Sequence, residues 1–377
     1  LSHARKIGHI TYLSPEIMQK KFGRQTKDDE NAQEQCFQIE SYLDYQGEKF
    51  VERFDANSYL RITQAMDAYD LVKEFGSLDK AFKNVVSKFL IVGLSSDWLF
   101  PPEQSNQLAN ALLRSGKRVS CCILRAPYGH DAFLIDVQRL ADTVRAFLPW
   151  AGETKEDKTV EILPNEKDRF SIITNSVQSG ARVLDLGCGD GQLLSLLKEE
   201  KKTNGLGLDI NIDNIVEVIN KGHDIFQGNL DEGLSLIPDD LYDYAILSST
   251  LQVVKKPKVV LREMLRVAKE GIVTLPNFGN WHNRIALAFS GRMPKSGMLP
   301  YEWYDTPNIH LSTLKDFVDL CRQEEYDILD IVCIPGERIL DRLFLSLKFC
   351  NLGAERVLFR LAKKGTGAVS LPNCRVF

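Results

Sequence analysis

A glycine-rich segment, Arg182 to Gly191, has the residue types of a turn that binds a nucleoside-containing cofactor. It begins with an apolar run that reaches Asp185, which predicts a buried parallel strand. Gly187, Gly189 and Gly191 follow, and glycine lets the backbone turn tightly where a Cβ would collide with a ligand. Leucines after Gly191 predict a helix whose first amide groups face the turn. The segment therefore predicts a strand, a binding turn and a helix in succession.

A further acid ends the next predicted strand. Gly205 to Asp209 is short and mostly apolar, and the Asp209 carboxylate is placed to accept hydrogen bonds from both ribose hydroxyls of a nucleoside. The glycine spacing differs from the G-x-G-x-x-G of dinucleotide-binding folds. Asp185 and Asp190 beside the turn disfavour a pyrophosphate and favour a cationic ligand. A dinucleotide, or a turn without a ligand, remains the alternative at this point.

Asp97 and His130 form a second group of candidate reactive side chains. Each follows an apolar run that predicts a buried strand, Phe89 to Leu94 and Val119 to Leu124. Acid then histidine, both after strands, is the order of the last two triad members in hydrolases, where the carboxylate orients the imidazole. The imidazole then takes the proton of the nucleophile. A helix cap at Asp97 and a structural role for His130 are the alternatives.

The elements predicted around the glycine turn alternate between strand and helix. Strands are predicted at 182–186, 205–209, 224–226, 242–247, 272–275 and 327–334, and helices at 213–221, 257–269 and 313–323. This alternation predicts an α/β domain with a doubly wound parallel sheet and the ligand at the carboxyl ends of its strands.

The first part of the chain also has an α/β pattern, with a helix predicted at 103–115 between its two strands. Residues 14–75 are helical and rich in polar residues, as in a lid over a sheet. Because two strands cannot bury both faces of an α/β core, we expect further strands to precede Leu1.

Length and composition limit the functional classes. A chain of 377 residues suggests two domains, and a formal charge of −4 without a polybasic segment argues against nucleic-acid binding. No apolar run approaches the ~18 residues of a membrane span. The eight cysteines form no C-x-x-C pair, which favours reduced thiols and a cytoplasmic protein. The charged segment 151–158 suggests a linker, so the expected division is 1–150, linker 151–165, domain 166–363 and tail 364–377.

Residues 1–150 resemble MetX-type homoserine O-acetyltransferases. The segments that carry the resemblance are Gln33 to Gly47, Arg53 to Tyr59, Asp97 to Pro102 and Tyr128 to Leu134. The resemblance implies the C-terminal portion of an α/β-hydrolase fold with a helical lid, in which Asp97 and His130 are the acid and base. Asp131 would help to hold the substrate amine.

The same resemblance shows what this sequence lacks. The nucleophilic serine of the family lies on a G-x-S-x-G-type elbow upstream of the lid, and these 377 residues contain no such elbow. Homoserine and acyl-CoA are implied as substrates of a complete enzyme, with acetyl and succinyl donors both open. We expect no acyl transfer by the 377 residues alone.

Residues 167 to 363 resemble MetW, a methyltransferase-like protein of methionine biosynthesis. The matching segments are Thr274 to Arg284, Gly291 to Pro294 and Leu299 to Leu311. The glycine turn itself resembles motif I of class I S-adenosylmethionine-dependent methyltransferases. The resemblance implies S-adenosylmethionine as cofactor, with contacts from Asp185, Gly187, Gly189, Gly191 and Asp209.

Two further residues are candidates for the adenine end of that cofactor. Asn229 follows the third strand, where family members tend to carry an acid, and its amide could meet the adenine amino group. Leu230 could pack on the adenine face or belong to the ordinary core.

Other polar positions leave alternatives open. Trp303, Tyr304 and Asp305 could line an acceptor site, or form a rigid loop that docks another protein. Arg284 and Arg292 could neutralise an acyl or carboxylate ligand, or be solvated. Two functions therefore compete. One is a MetW-like partner or sensor in the homoserine O-acyltransferase system, with a MetX protein as its partner, and the other is an active methyltransferase with an unidentified small acceptor.

Overall fold

The computed structural model describes residues 1–26, 36–148, 164–295, 300–365 and 374–376. These residues belong to two compact units, Leu1–Trp150 and Ala151–Phe377. The charged segment 151–158, predicted to be a linker, lies outside the described residues.

The first unit contains a helical region followed by two parallel strands. Its elements are α1 Ser2–Tyr12, α2 Pro15–Lys21, α3 Gln38–Arg53, α4 Ala56–Ala68, α5 Leu71–Phe75, α6 Leu78–Phe82, β1 Phe89–Leu94, α7 Pro102–Arg114, β2 Val119–Leu124, a 3₁₀ turn Gly129–Asp131, α8 Ala132–Ile135 and α9 Val137–Phe147.

The two strands of this unit pair in parallel from Phe89 with Val119 to Leu94 with Leu124. Helix α7 connects them and buries Ala111 and Leu112 almost completely. The predicted strands, the helix between them and the helical region before them are confirmed. Because the two strands are parallel, their carboxyl ends lie at the same edge. The loops that follow these ends carry Asp97 and His130.

The second unit contains the glycine turn and a larger sheet. Its elements are α10 Pro164–Ser176, β3 Arg182–Leu186, α11 Gln192–Lys201, β4 Asn204–Asp209, α12 Ile212–Asn220, β5 Asp224–Gln227, a 3₁₀ turn Leu230–Glu232, β6 Tyr242–Ser248, α13 Pro257–Val267, β7 Ala268–Pro276, α14 Trp281–Ile285, a π-helical turn Ala286–Ser290, α15 Leu314–Gln323, β8 Tyr326–Pro335, α16 Ile339–Ser346, α17 Cys350–Gly353, β9 Ala354–Lys363 and β10 Arg375–Val376.

The strands of this unit lie in the order β5-β4-β3-β6-β7-β9-β8-β10. The chain runs outward from β3 first through β4 and β5 and then through β6 and β7, and all five strands are parallel. This is a doubly wound arrangement, and its topological switch point lies between β3 and β6, where such sheets bind ligands.

The expectation of a wholly parallel sheet is wrong at one strand. Strand β9, Ala354–Lys363, was not predicted and runs antiparallel between β7 and β8. Two short helices, α16 and α17, connect β8 to β9, so the chain returns in the opposite direction without a full crossover. A dinucleotide-binding sheet with strand order 3-2-1-4-5-6 lacks such an inserted strand.

The core of this unit holds the glycine turn from below. Helices α10 and α11 pack on one face of the sheet. Fully buried side chains of the two helices and of β3, β6 and β9 form one cluster there: Ile173, Leu197, Val183, Ile246 and Leu358. Burial of each such side chain contributes about 1.5–3 kcal/mol, which fixes the strand ends that carry the site.

Candidate functional site

All three glycines of the turn have a backbone that favours glycine. Their φ angles are +76° at Gly187, +55° at Gly189 and +80° at Gly191. A Cβ on Gly187 would lie 2.6 Å from the Thr250 side chain, and one on Gly191 2.9 Å from Val218. A Cβ on Gly189 would meet no described atom within 4 Å. The outer glycines are therefore required by packing, whereas Gly189 faces open space.

A cavity of about 130 Å³ lies above this turn, at the carboxyl ends of β3 and β6. Its lining residues are Phe170, Asp185, Gly187, Cys188, Gly189, Asp190, Gln192, Leu193 and Ser248. Three of the predicted site residues, Asp185, Gly187 and Gly189, thus face one cavity. A fourth, Gly191, caps the start of α11, whose first turn points at the cavity.

Asp209 holds the glycine turn against the end of β4. One of its oxygens, Oδ2, accepts a hydrogen bond from the Gly189 amide at 2.9 Å. The other, Oδ1, accepts from the Asn211 amide at 2.9 Å and from the Asn214 side chain at 3.2 Å. The carboxylate is 8% exposed, and Oδ2 keeps capacity for a second donor. Its contact with a ribose stays a prediction.

Asp190 already forms an ion pair with Lys221, so its charge is only partly available to attract a cationic ligand. Lys221 Nζ lies 2.8 Å from Asp190 Oδ2 and donates to the Asp190 carbonyl at 2.7 Å. Burial alone would raise the pKa of Asp190, but hydrogen bonds from Lys221 and Gln192 outweigh it and lower that pKa. Because Lys221 neutralises Asp190, the carboxylate of Asp190 contributes little to a preference for a cationic ligand. Asp185, which is 2% exposed, is the other acid in the cavity wall.

Asn229 and Leu230 occupy a 3₁₀ turn after β5 and are not among the residues that line the cavity. The Asn229 side chain accepts from the Asp231 amide at 3.1 Å and donates to Glu232 at 2.9 Å, so it caps that turn. Leu230 is buried in the core, at 8% exposure. The structure gives both residues local roles, and their contact with an adenine stays a prediction.

Three polar side chains after β6 were missed by the sequence analysis. They are buried and have no hydrogen-bond partner within the described part of the chain: Ser248 Oγ, Ser249 Oγ and Gln252 Oε1. Ser249 also has φ at +58°, an unusual conformation for a residue other than glycine. The run Ser248-Ser249-Thr250 at a predicted strand end was a signal for this cluster. Buried polar atoms without a partner mark a place where a ligand can satisfy them.

The described part of the aromatic segment, Pro300 to Leu311, is hydrogen-bonded to Gln252 in the loop that follows β6. The Gln252 carbonyl accepts from the amides of Ile309 at 2.9 Å and His310 at 3.1 Å. Trp303 and Tyr304 themselves are 73% and 72% exposed and are not among the residues that line the cavity. The structure therefore leaves the docking and the acceptor interpretations of these aromatic residues open.

The segment Thr274 to Arg284 mainly organises the fold around itself. Asp341 is fully buried and accepts from the Asn280 amide at 2.9 Å and from the Trp281 indole at 2.8 Å. Arg284 Nε donates to the Gly279 carbonyl at 2.6 Å. Arg284 is thus engaged with its own loop, and a role in ligand neutralisation gains no support.

In the first unit, Asp97 and His130 form a hydrogen-bonded pair. Asp97 Oδ2 lies 2.9 Å from His130 Nδ1, and Asp97 Oδ1 accepts from the amides of Leu99 and Phe100 at 3.0 Å each. Asp97 is 6% exposed, whereas the His130 side chain is 27% exposed. The contact with Asp97 uses Nδ1, so the second imidazole nitrogen, Nε2, is not part of this hydrogen bond.

The turn that carries His130 is held by tight backbone packing. Gly129 has φ at +75°, and a Cβ there would lie 2.6 Å from the Tyr12 carbonyl. The Gly129 amide also donates to Ser96 Oγ at 2.8 Å, which joins the turn to the segment after β1. This packing fixes the position of the imidazole.

His9 is a neighbour of Asp131 that the sequence analysis missed. His9 Nδ1 lies 3.1 Å from the Tyr42 hydroxyl, and His9 Nε2 is buried without a partner. Burial and the positive charge of Arg5 lower the pKa of His9, while the Asp131 carboxylate acts in the opposite direction. Asp131 therefore lies within electrostatic reach of a partly buried polar pair, and its contact with a substrate stays a prediction.

The second unit is thus a doubly wound α/β domain with a cavity at its switch point, and the unit that precedes it in the sequence contains an acid–histidine pair. The family described as "Methionine biosynthesis protein MetW" matches residues 167–367. The chain belongs to this MetW family of methionine biosynthesis proteins.

Curated relatives extend the similarity to both units. The "Bifunctional methionine biosynthesis protein MetXA/MetW" of Rhodopirellula baltica is 38% identical over 86% of this chain and 54% of that protein. A "Homoserine O-acetyltransferase" of Rhodopseudomonas palustris is 48% identical over 40% of this chain and 39% of that protein. A "Homoserine O-succinyltransferase" of Methylibium petroleiphilum is 49% identical over 38% of each. The chain therefore spans between two fifths and about half of the relatives it matches.

No helix among the described residues is both long and apolar enough to cross a membrane.

Proposed function

We propose that the second unit binds S-adenosylmethionine and acts as a partner or sensor within the homoserine O-acyltransferase system. The observation that carries the proposal is the cavity at the carboxyl ends of β3 and β6, with Asp185 and the glycine turn in its wall. Membership of the MetW family and the MetXA/MetW name of the Rhodopirellula baltica relative support the pathway. A sensor of this kind is chemically sensible, since this cofactor is a downstream product of methionine.

The residues of the cavity fit such a ligand. Asp185 places a buried acid in the cavity wall, and Ser248 Oγ is a hydrogen-bonding atom without a partner among the described residues. Gly189 leaves space for close approach to the backbone. Asp209 keeps the turn in place and has a free acceptor position for a ribose hydroxyl, while Asn229 and Leu230 are assigned to the adenine end. In a methyltransferase, S-adenosylmethionine would supply the methyl group on its sulfonium sulfur. In a sensor, its binding alone would be the signal.

The first unit is assigned to the acyl-transfer part of the system. We assign Asp97 to orient His130, and His130 Nε2 to remove the proton of a nucleophile that these 377 residues do not supply. Homoserine and acyl-CoA are the proposed substrates of the complete enzyme, with Asp131 near the amine and a MetX protein as partner. The relatives carry both acetyl and succinyl names, so the donor is left as an acyl-CoA.

A second function, active methyl transfer to a small acceptor, is favoured by one observation. Polar atoms without a hydrogen-bond partner among the described residues lie at the end of β6 beside the cavity, where an acceptor could be held. They belong to Ser248, Ser249 and Gln252. In this reading these groups orient the acceptor.

The two functions are distinguished by the fate of the methyl group. The purified 377-residue chain is titrated with S-adenosylmethionine in a calorimeter, and then incubated with the methyl-labelled cofactor and a bacterial metabolite extract. Binding without S-adenosylhomocysteine formation supports the partner or sensor. Label in an acceptor supports the methyltransferase, and absence of binding rejects both.

A further inference from the structure

Three cysteines that are distant in the sequence converge in the second unit. The Sγ atoms of Cys333, Cys350 and Cys374 all lie within 4.8 Å of one another. Cys333 is fully buried in β8, Cys350 begins α17, and Cys374 directly precedes β10. Their spacing contains no recognisable metal motif, so the sequence analysis treated them as separate reduced thiols. Within the described parts of the chain, this is the one group of three potential metal ligands so close together.

The position of Cys374 is set by the strand that follows it. Strand β10 pairs in parallel with β8, with Arg375 opposite Val332 and Val376 opposite Cys333. The Arg375 guanidinium also forms two hydrogen bonds with the Asp330 carboxylate, which is buried. These contacts are independent of the cysteines and bring the Cys374 thiol to the edge of the sheet beside Cys333.

The position of Cys350 is set from the opposite side. It starts the short helix α17, and the carbonyl of the next residue, Asn351, accepts from the Asn277 side chain at 3.2 Å. Asn277 belongs to the segment Thr274 to Arg284, and its side chain also donates to the Ala354 carbonyl at 2.8 Å. The third thiol is therefore tied to the loop that follows β7.

We propose that Cys333, Cys350 and Cys374 bind one Zn²⁺ ion, which fastens the strand β10 to the edge of the sheet. In a tetrahedral zinc site with Zn–S bonds of about 2.3 Å, the sulfur atoms lie about 3.8 Å apart, so a small contraction of the cluster completes the geometry. Three thiolates with water at the fourth position form a zinc coordination that is found in proteins. The thiols lose their protons to solvent as the ion binds.

Zinc accounts for the cluster better than a disulfide does. A disulfide would join two of the sulfur atoms and leave the third without a function, whereas a metal ion uses all three. Soft thiolate ligands select Zn²⁺ or Cu⁺ over Mg²⁺ and Ca²⁺. The chain would then gain a fixed C-terminal strand next to the loop of Asn277.

The test uses the full 377-residue chain, purified with a reductant, loaded with Zn²⁺ and dialysed. Elemental analysis should give about one zinc per chain in the parent and in the control Cys36→Ser, which changes a partly buried thiol in the first unit. Cys374→Ser should weaken zinc binding by about tenfold or more, and Cys374→His should recover much of it. Co²⁺ in place of zinc should give a sulfur-to-cobalt absorption band that Cys374→Ser reduces.

Each contrary result overturns the proposal. A parent chain without zinc, or zinc binding unchanged in Cys374→Ser, removes the site. A mass two hydrogens lower, with loss of two free thiols, assigns the cluster to a disulfide. Since Cys374 only precedes the two-residue strand β10, circular dichroism of Cys374→Ser without metal should match that of the parent, and a loss of zinc is then not a loss of folding.

Discussion

At the scale of residues, the glycine turn separates two physical requirements that the sequence presents as one. Gly187, Gly189 and Gly191 all have positive φ, yet Gly187 is crowded by Thr250 while the Cβ position of Gly189 is open. The glycine pattern predicts the turn because only glycine adopts such φ angles at little cost. It does not tell which glycine serves packing and which leaves room for a ligand, since that depends on the neighbouring strand.

A pair of alanine substitutions should separate these two requirements. Both Gly187→Ala and Gly189→Ala incur the left-handed backbone penalty of about 1–2 kcal/mol. Gly187→Ala also brings a Cβ to 2.6 Å from Thr250, so its loss of stability in urea unfolding should be the larger. Gly189→Ala places its methyl group toward the cavity and should lose more affinity for S-adenosylmethionine than stability.

The control is Gly180→Ala, which has φ at +75° and nothing within 4 Å of the added Cβ. It should show the backbone penalty alone, with affinity unchanged. If Gly189→Ala behaves like Gly180→Ala in both measurements, the cavity beside the turn is not the ligand site.

Asp209 allows a second prediction at this scale. Asp209→Ala removes the acceptor for the Gly189 amide and the proposed acceptor for a ribose hydroxyl. We expect a loss of about 1–3 kcal/mol in binding, or roughly tenfold to a hundredfold in the calorimetric Kd. Asp213→Ala, an exposed acid in the first turn of α12, is the matched control and should bind as the parent does. Equal affinities in all three proteins would remove Asp209 from the site.

The residues that sequence reasoning missed share one physical property. Each has a buried polar atom without a hydrogen-bond partner among the described residues: Ser248, Ser249, Gln252 and His9. The lack of a partner can be recognised only after the surrounding elements have packed. By contrast, Asp97 and His130 could be predicted as a pair, because each directly follows a strand and parallel strands end at the same edge.

At the scale of elements, periodicity was sufficient where strands alternate with amphipathic helices. Strands β3 to β6 and β8 were predicted to within one residue of their observed bounds, whereas β7 begins at Ala268, four residues before the predicted 272–275 and inside the predicted helix 257–269. Strand β9 was not predicted. Its sequence mixes charged and apolar residues, and its direction depends on the pairing with both β7 and β8. Such a strand is defined by its neighbours, which a local pattern cannot supply.

The start of β9 also carries an electrostatic cost. The carboxylates of Glu355 and Asp341 both approach Gly336, where a Cβ would lie 2.6 and 2.7 Å from their oxygens. Burial, followed by the repulsion from Asp341, raises the pKa of Glu355, although Arg338 and Arg356 act against the shift. The charged form of Glu355 is therefore disfavoured in the folded protein.

Glu355→Gln should raise the midpoint of thermal unfolding at pH 7. A raised folded pKa means that the contribution of Glu355 to stability is fully present below the unfolded pKa, near 4.5, and is lost as the pH rises through the folded value. The gain from glutamine should therefore shrink toward zero as the pH is lowered to about 4.5. Glu217→Gln, an exposed acid on α12, should change the midpoint little at either pH. An equal gain at both pH values would assign the effect to packing and not to charge.

At the scale of the whole molecule, the two units were anticipated from length, composition and the change of pattern. The doubly wound sheet of the second unit followed from strand–helix alternation, and the family from specific segments around Asn277 and Leu299 to Leu311. In the first unit, two parallel strands and an acid–histidine pair are described, while the hydrolase fold of the larger enzyme is still a proposal. Its assignment depends on a nucleophile that no residue pattern in this chain supplies.

The last prediction follows from that division of the catalytic groups. The 377-residue chain should show no homoserine-dependent release of coenzyme A with acetyl-CoA or succinyl-CoA, because an acid and a base only assist a covalent route that begins at the nucleophile. When the remaining part of the Rhodopirellula baltica relative is joined before Leu1, acyl transfer should appear. His130→Ala in that protein should reduce kcat by about a thousandfold or more, and Asp97→Asn should cause a large but smaller loss. Asp136→Asn, an acid of the same unit outside the pair, is the control.

If the second unit is a required partner, deletion of residues 166–377 should also lower the rate, whereas an independent methyltransferase would leave it intact. We expect the lower rate, because the unit that precedes this domain is similar to homoserine acyltransferases, and the chain shows no evident methyl acceptor. Coenzyme A release by the 377 residues alone, or activity indifferent to His130, would contradict the assignment of the first unit.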